Sequence, residues 1–243
     1  MTNRNENNNF LMGLRDGVPI CLGYLSVSFA FGIFAVTSGL SFWEATLISM
    51  FNLTSAGQLA AVPIIAGGGS LIELIVTEFV INSRYALMSV SLSQSMGRSV
   101  RIRDRLWIAF ANTDEVFAVA IGKEEPVGRK YMLGLALTPY FGWTVGTLLG
   151  SVAGNILPAI LVSALGIAIY GMFIAIVVPA AMASLKTALC VALSIAMSCI
   201  FSYVSPLNRI SGGFVIIICA VTVSLIFALL APLPDEEEVA CDA

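Results

Sequence analysis

Histidine is absent from all 243 residues, which excludes histidine metal sites and histidine proton relays. Charge is scarce as well. Charged residues make up 11% of the chain, against about 25% in an average soluble domain. So little charge cannot cover a globular surface, so water is a poor solvent for this chain. Of five cysteines, Cys21, Cys190, Cys199 and Cys219 lie in apolar runs, Cys241 lies in the tail, and none form a CxxC pair. They read as small buried hydrophobes. The sequence also lacks a nucleotide-binding loop, a catalytic triad, a metal-ligand cluster and any soluble stretch able to hold an ATPase. No cofactor, metal or nucleic-acid partner is therefore expected. Uphill work must draw on an ion gradient or a separate subunit.

What is present is hydrophobic, at 58% of residues. No charge occurs from Gly17 to Trp43, Ala45 to Ile72, Tyr131 to Leu185, Thr187 to Asn208 or Ile210 to Pro234. A membrane-spanning helix needs about 20 mostly apolar residues. Runs such as Ile174-Ala175-Ile176-Val177-Val178 lack the alternation of a membrane β-barrel. The expected fold is an all-α polytopic integral membrane protein of about six to seven transmembrane helices. Its spans lie near 17–38, 41–66, 70–96, 130–152, 157–183, 186–205 and 211–232. No cleavable leader follows the polar start, so the first span is expected to act as an uncleaved insertion signal. The acidic tail from Asp235 reads as a solvated end.

The chain reads as one transporter domain over 1–243. It has two candidate related halves, 11–96 and 130–205, and a final helix at 211–232. The halves rest on the recurrence of Gly39–Pro63 at Gly154–Pro179 and of Pro19–Tyr24 at Pro139–Trp143. Matching broken helices in two halves are a transporter pattern.

Arg98, Arg101, Arg103 and Arg105 place the central loop in the cytoplasm, and Arg4 and Arg15 place the N-terminus there too. Three full crossings between them would contradict this parity. One segment should fail to cross, and 41–66 is the candidate because Asn52–Gln58 interrupts it. A re-entrant hairpin or a broken helix fits, since such backbone survives only where it is buried in protein or lines a cavity. Leu106–Gly122, with Asn112, Thr113, Asp114 and Glu115 at its centre, reads as a short span, a re-entrant element or an interfacial helix.

Three polar constellations carry candidate chemistry. The first is Asn52, Thr54, Ser55, Gly57 and Gln58, where exposed helix ends would offer N–H groups to a carboxylate; ordinary small-residue packing is the plainer explanation. The second is the third span. Its Glu78, Asn82, Ser89 and Ser93 share one helical face, with Glu73 and Arg84 on the other, about 16 Å apart along the axis. An ionisable group at the bilayer centre costs at least ~2.5 kcal/mol, so each needs a partner. Glu78 is a candidate proton carrier, Asn82 a polar substrate contact and Arg84 a carboxylate clamp. The third is Asp114 with Glu115, adjacent carboxylates suited to proton coupling. An intramembrane enzyme using Glu78 and Asp114 as acid and base, or a passive channel, are the alternatives. The missing histidine and the lack of a nucleophile–base pair weigh against the enzyme. Gly17, Pro19, Gly23, Tyr24 and Gly32 read as packing and kink devices.

Four stretches carry a family resemblance. They are Gly17-Val18-Pro19-Ile20 with Gly23-Tyr24 and Phe29–Gly32, Ser55-Ala56-Gly57-Gln58, Asn82–Ser89, and Thr113-Asp114-Glu115. Together the chain resembles the AzlC family, large subunits of bacterial branched-chain amino acid exporters. The resemblance implies a permease of the bacterial inner membrane exporting valine, leucine and isoleucine. It also implies a small AzlD-type membrane partner and proton coupling. On this reading Asn52, Thr54, Ser55, Gly57, Gln58, Asn82 and Arg84 bind substrate, while Glu78, Asp114 and Glu115 couple the proton. Leu59 stands where the family commonly has an aromatic residue, so the preferred side chain stays open.

Overall fold

The computed structural model describes residues 8–123, 125–158, 160–161, 171, 174 and 177–230. The described residues are helical and contain no strand, only an isolated bridge between Met96 and Val127. In chain order the helices are α1 Phe10–Thr37, α2 Phe42–Phe51, α3 Ala56–Ala66, α4 Leu71–Gln94, α5 Ile102–Phe110, α6 Asp114–Ile121, α7 Arg129–Ile156, α8 Leu185–Tyr203 and α9 Gly212–Leu230. By length and composition α1, α7, α8 and α9 can cross a membrane. Helix α4, about 36 Å long, is long enough too but carries Glu73, Glu78 and Arg84. The expected spans at 186–205 and 211–232 coincide with α8 and α9, while most of the one at 157–183 falls outside the described residues.

Helices α1 and α7 form the spine. Each is 28 residues long with one internal proline, Pro19 and Pro139. Gly13 of α1 meets Tyr131 of α7, Gly17 meets Thr138 and Gly32 meets Thr147 and Ser151. Partner numbers rise together, so the two helices run parallel. Their contact is made by small residues. On α7 the glycines recur every fourth position, at Gly142, Gly146, Gly150 and Gly154, and each lies against α1. A Cβ on Gly142 would stand 2.7 Å from the Cys21 carbonyl oxygen, so only hydrogen permits this approach. Small-residue interfaces of this kind are how apolar helices associate where lipid removes the hydrophobic drive.

The broken segment is a re-entrant hairpin. Helices α2 and α3 have 10 and 11 residues, about 15 Å each, half the hydrocarbon thickness. Gln58 Nε2 donates to Ser49 Oγ at 3.0 Å. Further from the tip, Ala45 and Val62 share one apolar cluster with Phe31, Ala35 and Leu40. Helix α3 therefore returns beside α2 to the membrane face from which α2 entered. Gly68, with φ +67, and the Ser70 side-chain cap on the Glu73 N–H then turn the chain into α4. Helix α4 runs back along α3, with Gly57 against Glu78 and Asn82, and Gly69 against Glu73.

This resolves the charge-parity conflict. With α1 crossing, α2–α3 turning back and α4 crossing again, the arginine loop shares an end with the N-terminus. Contacts at that end agree. Lys130 N donates to Asn8 Oδ1 at 2.6 Å, Arg129 N donates to Ser99 Oγ at 2.9 Å, and Lys123 pairs with Asp16 at 2.7 Å. Cysteines placed at Ser38 and Gly67 should both label from one side of the membrane, and one at Arg98 from the other. Labelling of the first two from opposite sides would mean that α2–α3 crosses.

The segment 106–122 folds as a second re-entrant pair, entering from the N-terminal end. Down α5, Arg105 bonds Ser93 and Asn112 Nδ2 donates to Ser89 Oγ at 3.2 Å. At the tip Asp114 reaches Arg84, and α6 climbs back to Lys123 beside Asp16. At the base, the Asp104 carboxylate accepts the Arg101 N–H at 2.9 Å and pairs with Arg129 at 2.9 Å. The Arg101 backbone bond first, then the Arg129 guanidinium, holds the Asp104 carboxyl below the usual range. Its contribution to loop order is present above the unfolded carboxylate value, about 4, and is lost as pH falls through the lower folded value. Cleavage by pepsin, which is active in acid, should accelerate in the 97–130 loop over that window, and Asp104→Asn should abolish the pH step relative to the unaltered chain.

Candidate functional site

The two hairpin tips meet. Between them lies a cavity of about 620 Å³, within the usual range for a small-molecule site. Thr54, Ser55 and Ala56 of the first tip form one wall, and Thr113, Asp114 and Glu115 of the second form the opposite one. Helix α1 adds Ile20, Tyr24 and Val27, α4 adds Ile81, Arg84 and Tyr85, and α7 adds Trp143.

The first tip presents a backbone feature suited to an anionic ligand, and the second presents carboxylates. Ser55 has φ 51 and ψ −79, a strained conformation costing about 1–3 kcal/mol that persists only where the surroundings enforce it. Ser55 supplies no side-chain cap to α3, so the positive end of α3 stands at the cavity wall without one. Thr113 does cap α6 by accepting the Val116 N–H, and Asp114 and Glu115 fill the first turn of α6. Arg84 Nη2 pairs with Asp114 Oδ2 at 3.0 Å, both side chains about half exposed (50% and 48%). The guanidinium also donates to Tyr85 Oη at 3.2 Å and lies over that ring. Tyr24 donates its hydroxyl proton to Glu115 and packs edge-on against Trp143 at 5.1 Å. The cavity therefore carries one cationic group and two carboxylates over an otherwise apolar surface that includes Ile20, Val27, Leu53, Ile81 and Trp143.

The residues singled out in the sequence divide into two groups. Thr54, Ser55, Arg84, Asp114 and Glu115 line the cavity. Asn52, Gly57, Gln58, Glu78 and Asn82 stand behind it. There Glu78 Oε2 accepts from Asn82 Nδ2 at 2.7 Å and Asn52 Nδ2 at 3.2 Å, and Thr54 Oγ1 donates to Asn52 Oδ1 at 2.6 Å. Gln58 is fully buried and reaches α7 through Ser49, whose hydroxyl bonds Thr147 at 2.7 Å. This network pins the first tip to α4 and α7. Glu73, on the far face of α4, is buried against Ser211 at the start of α9. Sequence reasoning placed Tyr24 among packing residues and passed over Leu53, Tyr85 and Trp143, all on the cavity wall. Of these, only Tyr85 carried a signal, as a hydroxyl-bearing aromatic beside Arg84.

The family model described as AzlC protein matches residues 19–157, a stretch that contains the whole cavity wall. An inner membrane protein of Escherichia coli K12, YgaZ, is 31% identical over 236 residues, covering 93% of this chain and 94% of that protein. An uncharacterised membrane protein of Archaeoglobus fulgidus is 34% identical over 172 residues, 70% of this chain and 75% of its own. One from Helicobacter pylori 26695 is 29% identical over 154 residues, 60% of this chain and 66% of its own. No solved structure matches.

Proposed function

The chain belongs to the AzlC family, and on that premise we propose that it is the permease subunit of a secondary transporter exporting valine, leucine, isoleucine and similar amino acids, driven by the proton gradient. The observation that carries this reading is the cavity between two re-entrant tips, with the Arg84–Asp114 pair at its wall. An amino acid is a zwitterion with a side chain, and the cavity has a place for each part. Arg84 and the uncapped start of α3 suit the carboxylate. Asp114 and Glu115 suit the ammonium. Leu53, Ile81, Val27 and Trp143 give a branched aliphatic side chain an apolar bed.

Asp114 pairs with Arg84 in the structure. A substrate carboxylate replaces Asp114 at the guanidinium, and Asp114 turns to the ammonium. A proton on Asp114 or Glu115 removes the ammonium's partner, so proton and substrate exclude each other, which is the logic of antiport. Glu78 is the third acidic group of this scheme. Asn52, Gly57, Gln58 and Asn82 would set the first tip rather than touch the amino acid. Lipid surrounds the chain, and the name of the Escherichia coli relative supports an inner-membrane location. The clustering of Arg15, Arg98, Arg101, Arg103, Arg105, Arg129 and Lys130 at one end supports a cytoplasmic side for that end. A small AzlD-type membrane subunit completes the transporter. Transport fits the site better than catalysis, because among the described residues no serine, threonine or cysteine of the cavity wall is bonded to a carboxylate.

Cells fed leucine- or valine-containing dipeptides should retain the freed amino acid when the gene is deleted and export it when the gene is restored. Undiminished export after deletion, without rescue, would refute the reading.

A further inference from the structure

Among the described residues, four buried side-chain oxygens without a hydrogen-bond partner lie on α3 and α4. Gln58 Oε1, Thr77 Oγ1, Glu78 Oε1 and Asn82 Oδ1 are buried and have no hydrogen-bond partner, and the Gln58 and Thr77 residues are 0% exposed. A buried acceptor left unmade costs about 1–3 kcal/mol, more for a charged group, so four together call for an occupant. Glu78 and Asn82 are joined side chain to side chain at 2.7 Å. Both touch the Gly57 backbone, where a Cβ would stand 2.7 Å from Glu78 Oε2 and 3.0 Å from Asn82 Nδ2. The atoms facing Gly57 are the bonded ones, and the free oxygens, Glu78 Oε1 and Asn82 Oδ1, are the other ends of that same joined carboxylate and amide. The last carbonyls of α2, which have no intrahelical partners, end beside Asn52, itself bonded to Glu78. They add the negative end of a helix dipole to that cluster.

We propose that this cluster binds a sodium ion, held by Glu78 Oε1 and Asn82 Oδ1 with carbonyl oxygens of the α2–α3 break. Every available donor is a hard oxygen, the class that takes alkali and alkaline-earth cations rather than zinc or copper. One carboxylate balances one positive charge, and among the described residues no group of three acidic, His or Cys side chains stands there to favour a divalent ion. The ion would lock the first tip to α4. This deepens the transport reading by giving it a second cation besides the proton, and only the coupling role rests on that reading.

The test is thermal unfolding of the purified chain in lipid nanodiscs, titrated with NaCl against choline chloride at constant ionic strength, with KCl as a third arm. Sodium should raise the unfolding midpoint saturably, potassium less and choline not at all. Equilibrium dialysis with radioactive sodium should give near one ion per chain. Glu78→Gln and Asn82→Ala should each raise the half-saturating sodium concentration roughly tenfold or more. Identical curves in sodium and choline, with no dialysed sodium, would overturn the proposal and leave these oxygens to water or a proton. Leucine binding to the chain co-purified with its small partner subunit, measured both in sodium and in choline, separates the two readings. Leucine bound without any sodium effect defeats only this inference, whereas sodium bound without leucine defeats the transport reading.

Discussion

Arg84→Ala lowers leucine export at least roughly thirtyfold while the chain still reaches the membrane. The guanidinium is the one cationic group on the cavity wall, and it holds Asp114 at 3.0 Å. Removing the guanidinium that would pair a bound, water-excluded substrate carboxylate costs about 2–5 kcal/mol, and every 1.4 kcal/mol is tenfold. The half exposure of both side chains places the expected effect at the lower end. Arg84→Lys should recover only a minor part, because an ammonium keeps the charge but loses the planar fork that matches a carboxylate. The double variant Arg84→Ala/Asp114→Ala separates binding from structure. It removes the orphaned carboxylate, so membrane levels should return to those of the unaltered chain while export stays lost. Recovery of export in the double variant would make the pair a structural strut. Export and membrane abundance, measured together in dipeptide-fed cells, decide between these.

Gly57→Ala should lower export tenfold or more and lower the unfolding midpoint. Its Cβ would meet Thr54 Oγ1 at 2.6 Å, Glu78 Oε2 at 2.7 Å and Asn82 Nδ2 at 3.0 Å. None of these is a free side-chain end. Thr54 is bonded to Asn52, and Asn82 to Glu78, so the methyl group must break the network or push α3 off α4. Overpacking of this kind typically costs about 1–3 kcal/mol. Here the displaced element is also the first hairpin tip, and Ser55 holds its strained backbone only through that packing. Gly212→Ala, where nothing stands within 4 Å, is the control and should leave both readouts near those of the unaltered chain. If Gly57→Ala matches Gly212→Ala, the tip is softer than its contacts imply.

The spanning helices were legible because charge-free runs have only one economical structure in lipid. The first hairpin was legible for a different reason. Arginines at both ends of 1–105 fixed an even number of crossings, and Asn52–Gln58 marked the segment that could turn back. For 106–122 the same polar centre fitted three placements. What decides among them is Arg84 on α4, the partner that draws Asp114 down to the cavity, and local sequence does not name that partner. The Gly142–Gly154 repeat on α7 is visible in the sequence, but that it faces α1 in parallel follows only from the fold. Within the site, charged and amide residues stood out against apolar runs. Of these, Arg84, Asp114 and Glu115 reached the wall, whereas Gln58 is drawn to α7 by Ser49 and Thr147, partners distant in sequence. Tyr24 and Trp143 were hidden because an aromatic residue in an apolar helix has the same sequence appearance whether it packs or lines a cavity.

The central claim, that the space between the two tips holds a branched-chain amino acid, is tested most directly by substrate protection of a cavity-wall thiol. Ile81 lies on the wall without entering the ion-pair network. In a cysteine-free background, Ile81→Cys should react with a small maleimide, and saturating leucine should slow that reaction at least roughly tenfold, with glycine far less effective. A labelling rate indifferent to leucine, in a variant that still exports, would contradict the account.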